Sequence, residues 1–341
     1  MPGGLAHLML SPVSALYKRE ITRRNAKYDR GEGVVTLDRP VISVGNLSVG
    51  GTGKSPTVAM VMRTLREAGY WPAVAMRGYG ASKTSQGSSD EADEYRALFP
   101  DLPIVAQANR TLGLIELFGS EAGERVDTVV LDDGFQHRRL ARQLDIVLID
   151  CTRSPLEDAL LPAGRLREPM DSLARAHAVV LTHAESVSDA EVEVILRAVL
   201  GVKRELAIAV SEHAWAGLEV TGQAERAKTE WLAGKKVVGV CAIGNPRPFF
   251  AELARRAGSV AEEIALRDHD PYREGTVARI IESAKGKDAV VCTAKDWSKL
   301  RHVPTGAWPC PVVRPVLELR MRSGGGELDE LIRRAASGGA E

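Results

Sequence analysis

The sequence predicts an α/β fold: a parallel sheet with helices on both faces, followed by a second, smaller block of the same kind. Three observations carry this. Short, wholly apolar runs alternate with stretches of helical periodicity. A glycine-rich turn joins the first such run to the first such helix. The chain has 341 residues, 44% hydrophobic and 26% charged, enough for roughly two domains with a sizeable core.

The elements follow in order. Val41-Ile42-Ser43-Val44 reads as a buried strand ending at Gly45. Beyond the turn, Val58, Val61, Met62 and Leu65 fall at i, i+3, i+4 and i+7, one face of a helix closed by Gly69. Residues 73–76, 128–131, 145–150 and 178–182 read as further strands, the middle two running into aspartates. The segment from Ser211 to Glu230 is polar and broken by glycines, and reads as a junction. The pattern resumes with a strand at 237–241, a helix near 249–257 and a strand at 289–292. The expected division is an N-terminal helical segment (1–35), a core domain (36–212), a linker (213–230), a second domain (231–322) and a tail (323–341) that frays. Residues 82–89, rich in Ser and Gly, read as a mobile loop.

Composition removes several function classes. Lys+Arg and Asp+Glu are both 45, so bulk positive charge for coating nucleic acid is missing, and 5% aromatics disfavours a base-stacking platform. The 4 cysteines form no CxxC pair, which excludes a disulfide scaffold and the usual zinc spacings. His7, His177, His183, His213 and His302 show no partner spacing and read, like the cysteines, as structural. Near the start, the apolar stretch from Leu5 to Tyr17 is too short and too broken to span a bilayer, which takes about 20 residues. Lys18, Arg19, Arg23, Arg24, Lys27 and Arg30 follow it, against only Glu20 and Asp29. Such a segment fits an anionic membrane surface, and also an ordinary amphipathic helix packed on its own domain.

The strongest chemical signal is Ser48-Val49-Gly50-Gly51-Thr52-Gly53-Lys54-Ser55 between the first strand and the first helix. Glycines let backbone N–H groups converge on phosphate oxygens, and the helix N-terminus adds partial positive charge. Lys54 is placed to reach β- and γ-phosphates, and the Ser55 hydroxyl to bind Mg²⁺. Ser48 stands where the general phosphate-loop pattern has its first glycine. The second signal is Leu131-Asp132-Asp133-Gly134-Phe135-Gln136-His137, which ends a strand where phosphate-loop enzymes carry a metal-side carboxylate. Asp132 and Asp133 are thus candidate metal ligands.

Residues 44–56 resemble the signature of the tetraacyldisaccharide 4′-kinase family, in which Thr or Ser takes the place of that first glycine. The resemblance continues through Arg77-Gly78-Tyr79-Gly80, residues 132–139, residues 161–169, Gly244-Asn245-Pro246 and Thr293-Ala294-Lys295-Asp296, in the family's order. It implies a phosphate-loop kinase with two α/β/α domains joined by a short β linker and an active site in the cleft. It implies ATP and Mg²⁺, transfer to the 4′-hydroxyl of a tetraacylated glucosamine disaccharide 1-phosphate (the lipid A disaccharide), and a peripheral position at the cytoplasmic face of the bacterial inner membrane through the N-terminal helix. No nucleic acid and no obligate protein partner is implied. Asn46, Arg77, His137 and Arg167 lie on these motifs and are candidates for contacting substrate. The family carries its catalytic aspartate in a Gly-Asp-Glu-Pro stretch, here Ser89-Asp90-Glu91-Ala92, so Asp90 is the candidate base and Asp93 its rival. His269 survives from a Phe-Pro-Asp-His-His stretch whose second His is Asp270, and is the candidate partner of that base. Arg165 stands where the family has Pro. Two other functions fit the bare phosphate loop: an enzyme acting on a soluble acceptor, and a nucleotide-binding relative without turnover.

Overall fold

A computed structural model of the chain describes residues 4–78, 90–268 and 270–338, with the backbone alone at residues 4–9, 90 and 91. It divides into two compact units, Met1–Glu212 with Met321–Glu341, and His213–Arg320.

The first unit begins with α1 (Gly4–Asp29), then β1 (Val41–Asn46), α2 (Lys54–Glu67), β2 (Pro72–Met76), α3 (Asp90–Leu98), β3 (Ile104–Ala106), α4 (Arg110–Phe118), α5 (Glu121–Glu124), β4 (Thr128–Asp132), β5 (Leu144–Asp150), β6 (Ala178–Thr182), α6 (Asp189–Val202) and the start of β7 (Ala207–Val220). The strands pair in parallel in the order β3-β2-β4-β1-β5-β6-β7. Ile42, Val44, Val58, Met62, Leu65 and Ile146 are buried on one face, and Leu47, Val147, Val179, Ile195 and Val199 on the other. Burial on both faces explains why these strands are continuous apolar runs. The register sets Val44 beside Asp132 and Ile146. The carboxyl ends of β1, β4 and β5 therefore finish together, where ligands bind in open α/β sheets.

Within the tail expected to fray (323–341), the described residues to 338 are mostly helix. α10 (Gly325–Ala336) returns to the first unit and buries Leu328, Ile332, Ala335 and Ala336 in the core beside α2. Gly324 caps it at φ 72, and a Cβ there would fall 2.0 Å from the Ile208 carbonyl. The flanking glycines that suggested fraying thus serve the helix start. The expected mobile loop at residues 82–89 lies outside the described residues.

In the second unit, β8 (Lys236–Cys241), α7 (Arg247–Arg256), β9 (Ser259–Ala265), α8 (Glu274–Ala284), β10 (Ala289–Cys292), α9 (Ala294–Leu300) and most of β11 (Val312–Ser323) form a parallel sheet in the order β11-β10-β8-β9. Strands β7 and β11 are the two places where the chain passes from one unit to the other, and β7 covers the first half of the expected junction.

One close approach fixes the motif-bearing turn. A Cβ on Gly45 would lie 2.6 Å from both the backbone N and the Cβ of Phe135, which is fully buried. Gly45→Ala is expected to cost about 1–3 kcal/mol of stability by overpacking, read as a lowered denaturation midpoint, and to lower activity by pushing the Asp132–Asp133 turn away from β1. An unchanged midpoint would contradict the packing.

Candidate active site

The phosphate loop spans residues 48–55. Gly50 (φ 114) and Gly53 (φ 80) take left-handed conformations that other residues rarely adopt, and Gly53 caps α2, whose first residue is Lys54. Strand-end side chains hold the loop from below. The Asn46 Nδ2 donates to Thr52 Oγ1 at 2.8 Å, and the Thr182 hydroxyl donates to the Thr52 carbonyl at 3.0 Å. Asn46 is 0% exposed. Its amide nitrogen braces the loop.

Opposite the loop, Asp133 follows β4 in a left-handed conformation (φ 52), a strained arrangement of the kind found at functional sites. Arg167 Nη1 donates to both of its carboxylate oxygens, at 2.8 and 2.7 Å, and Lys54 Nζ lies 3.7 Å away. Burial opposes the charge on Asp133, but Lys54 and Arg167 outweigh it and hold the carboxyl below the usual range. The Arg110 guanidinium donates to the Asp133 carbonyl at 3.1 Å. Asp133, a candidate metal ligand, carries two cations at the phosphate loop.

Asp132 is positioned separately. It is 4% exposed, and its Oδ2 accepts the Tyr95 hydroxyl at 3.0 Å. Tyr95, on α3, is 0% exposed and has the Ser55 hydroxyl beside it. Burial and the Asp132 charge raise the phenol's pKa far above normal, so it stays protonated and donates. Ser55 and Asp132 therefore offer a hydroxyl and a carboxylate at one point. Among the described residues no cluster of three or more His, Cys, Asp or Glu could hold a metal alone. A hard cation that shares its coordination with phosphate oxygens and water fits this sparse, all-oxygen set. Tyr95 was not found from the sequence, because nothing local marks a tyrosine 37 positions from its partner. Tyr95→Phe is expected to lower kcat about tenfold through a misplaced Asp132 and to raise the Mg²⁺ concentration needed for half-maximal rate. A magnesium titration that superimposes on wild type would rule this out.

The other candidates are placed as follows. Asp90 opens α3, with its side chain outside the described residues, as His269, Tyr79 and Gly80 also are. Asp93 lies one turn on, its Oδ1 held by Arg96 at 2.9 Å with both side chains exposed. Arg77 follows β2 on the exposed surface. His137 is half-buried, and burial, then Arg110 and Arg142, pull its pKa down to about 4, so it is neutral at physiological pH. Arg165, the departure from Pro, closes its own loop: its backbone N–H donates to Asp158 Oδ1 at 3.1 Å, which proline cannot do, and its Nε to Oδ2 at 2.8 Å.

Two histidines read as structural differ in setting. His177 Nδ1 accepts the Asp145 N–H at 2.9 Å. His183, by contrast, sits at φ 56 at the end of β6 with Nδ1 3.1 Å from Asp150 Oδ1 at the end of β5. Its neighbour Thr182 holds the phosphate loop. β5 pairs with β1, the strand that feeds that loop, and β6 pairs with β5.

In the second unit, the Thr-Ala-Lys-Asp motif is built around its own buried aspartate. Asp296 is 1% exposed; its Oδ1 accepts the Ala242 N–H at 3.0 Å and its Oδ2 the Thr293 hydroxyl at 2.6 Å. Burial raises its pKa, and these bonds offset part of the rise. Lys299 Nζ donates to the Asp270 carbonyl at 2.9 Å, and Lys295 Nζ lies 3.6 Å from Asp268. Asp270, which replaces the second family histidine, accepts the Tyr272 N–H at 2.8 Å.

Comparison with known proteins matches residues 6–334 to the family model described as tetraacyldisaccharide-1-P 4′-kinase. The tetraacyldisaccharide 4′-kinase of Geobacter metallireducens is 36% identical over 313 residues, covering 86% of this chain and 89% of that one. That of Chlorobium luteolum is 34% identical over 316 residues, covering 87% and 88%. The crystal structure of LpxK from Aquifex aeolicus in complex with ATP superimposes with a TM-score of 0.73 at 27% identity, covering 97% of this chain and 99% of that one.

Proposed function

The chain belongs to the tetraacyldisaccharide-1-P 4′-kinase family, and from that membership we propose how its residues carry the reaction. It is an ATP-dependent kinase that transfers the γ-phosphate to the 4′-hydroxyl of a tetraacyl glucosamine disaccharide 1-phosphate, a step of lipid A biosynthesis. The observation that carries the residue assignments is the convergence of Lys54 and Arg167 on Asp133 at the phosphate loop.

ATP phosphates lie along the backbone N–H groups of residues 48–55, and their oxygens take over the two cations that Asp133 holds. Lys54 then faces the β- and γ-phosphates and Arg167 the transferring group, where charge develops. Ser55 and Asp132 would hold Mg²⁺, which when bound would neutralise phosphate charge. Asp90 accepts the proton of the 4′-hydroxyl, since a sugar hydroxyl is a weak nucleophile, and on the family pattern His269 orients it. The exposed pairing of Asp93 with Arg96 supports Asp90 as the base.

The acceptor, with four acyl chains, stays in a bilayer, so the enzyme works at the cytoplasmic face of the inner membrane as a peripheral protein. α1 supports this. Leu10, Val13 and Leu16 are 36%, 48% and 68% exposed, and Lys18, Arg19, Arg23, Lys27 and Arg30 are exposed beside them. No helix among the described residues is long and apolar enough to cross a membrane. An acceptor panel tests the reading. γ-Labelled ATP should label the tetraacyl disaccharide 1-phosphate in mixed micelles and leave soluble sugars and carboxylates unlabelled. Labelling of a soluble acceptor alone would overturn it.

A further inference from the structure

Arg167 is held from two sides. On one, residues 159–167 zip onto the entry to the phosphate loop: the Arg167 N–H donates to the Leu47 carbonyl at 2.7 Å and the Val49 N–H to the Arg165 carbonyl at 2.8 Å. On the other side lies α1. Ser14 Oγ donates to the Leu160 carbonyl at 3.0 Å and accepts the Ala163 N–H at 3.1 Å. The Tyr17 hydroxyl donates to the carbonyl of Arg167 itself at 3.2 Å. Asn25 Nδ2 donates to Glu168 Oε2 at 2.8 Å. Glu168 is 0% exposed, and its other oxygen accepts Arg175 Nη2 at 2.9 Å. The helix is fixed in turn by Arg138, which donates to the Asn25 carbonyl at 3.1 Å and to Asp29 at 2.6 Å.

Ser14, Tyr17, Ile21, Asn25 and Tyr28 recur at three- and four-residue steps, the inner face of one helix. A buried carboxylate such as Glu168 needs its partners, and Asn25 is one of them. We propose that Tyr17 and Asn25 are positioning residues for phosphoryl transfer: the inner face of α1 fixes the backbone at Arg167 and Glu168, and so sets where the Arg167 guanidinium meets phosphate. α1 is then part of the catalytic unit as well as an anchor. The inference rests on the reading of Arg167 as phosphate-facing. It also means that deleting residues 1–30 removes two functions at once and cannot isolate the anchor.

The test separates the two faces of the helix in the full-length protein. Asn25→Ala should lower kcat about tenfold, and Tyr17→Phe a few-fold, as expected for small displacements of a reacting geometry. Lipid KM and co-sedimentation with vesicles of phosphatidylglycerol and phosphatidylethanolamine should stay as in wild type. Val13→Ser with Leu16→Ser should do the reverse: weaker sedimentation, higher lipid KM, kcat retained. In an Arg167→Ala background, Asn25→Ala should cause no further loss, because the effect passes through that arginine. A purely structural role predicts losses that multiply in the double variant, and that result would overturn the proposal. So would unchanged kcat in both inner-face variants. Should Asn25→Ala fail to fold, Tyr17→Phe, which removes a single hydroxyl, carries the same test. A wild-type enzyme that labels no lipid would instead defeat the functional reading, and is seen before any variant is compared.

Discussion

Lys54→Ala is expected to reduce phosphoryl transfer by at least ~10³-fold, the scale on which a fixed cation at transferring phosphate acts. The physical reason is geometric. Lys54 is the first residue of α2, its position set by Gly53 at φ 80, so its ammonium faces the loop from a fixed point. Folding should be retained. The truncated residue is at a loop-to-helix junction, and Asp133 keeps its two bonds from Arg167. Circular dichroism and thermal denaturation should therefore match wild type while labelled product disappears. Activity within tenfold of wild type would remove the phosphate-loop assignment.

Asp90→Ala is the second large effect, a fall in kcat of about 10²–10⁴-fold, the range for a positioned acid–base group. ATP affinity, measured by equilibrium binding, should be nearly unchanged. Asp93→Ala is the internal control. Its carboxylate is exposed and holds Arg96, an interaction worth at most ~1 kcal/mol, so its kcat should remain near normal. His269→Ala should resemble Asp90→Ala, and the double variant should be little worse than the worse single one, because groups acting as a unit are not additive. The opposite ranking, with collapse in Asp93→Ala and near-normal turnover in Asp90→Ala, would move the base by one turn of α3.

The parts legible in the sequence were those with local signals. Strand β1, the glycine turn and α2 could be placed because an apolar run, a conformational requirement and a 3.6-residue period coincide within residues 41–65. The second unit's central strands, residues 237–241 and 289–292, were equally plain. Strand β3 escaped because it has three residues, and β9 because its burial alternates around Glu262 and Glu263 instead of running apolar. α10 carried a readable face in Leu328, Ile332, Ala335 and Ala336, but its glycines looked like an unstructured end. The site divides the same way. Lys54, Ser55 and Asp132 follow from motif and context. The tyrosine that holds Asp132 and the helix that holds Arg167 act across 37 and 150 positions, and only the folded chain brings such pairs together. The bond by which Asn46 holds Thr52 needs the loop to fold back on the strand that feeds it, and no local pattern marks it.

The reaction moves the γ-phosphate of ATP onto one oxygen of a lipid disaccharide. Phosphorus–proton correlation spectroscopy of the purified lipid product tests it most directly. A new phosphomonoester whose phosphorus couples to the proton on C4′ is expected, formed in step with ADP and missing from the Lys54→Ala reaction. A phosphorus coupled to any other sugar proton, or ATP consumed with release of inorganic phosphate and no new ester, would contradict it.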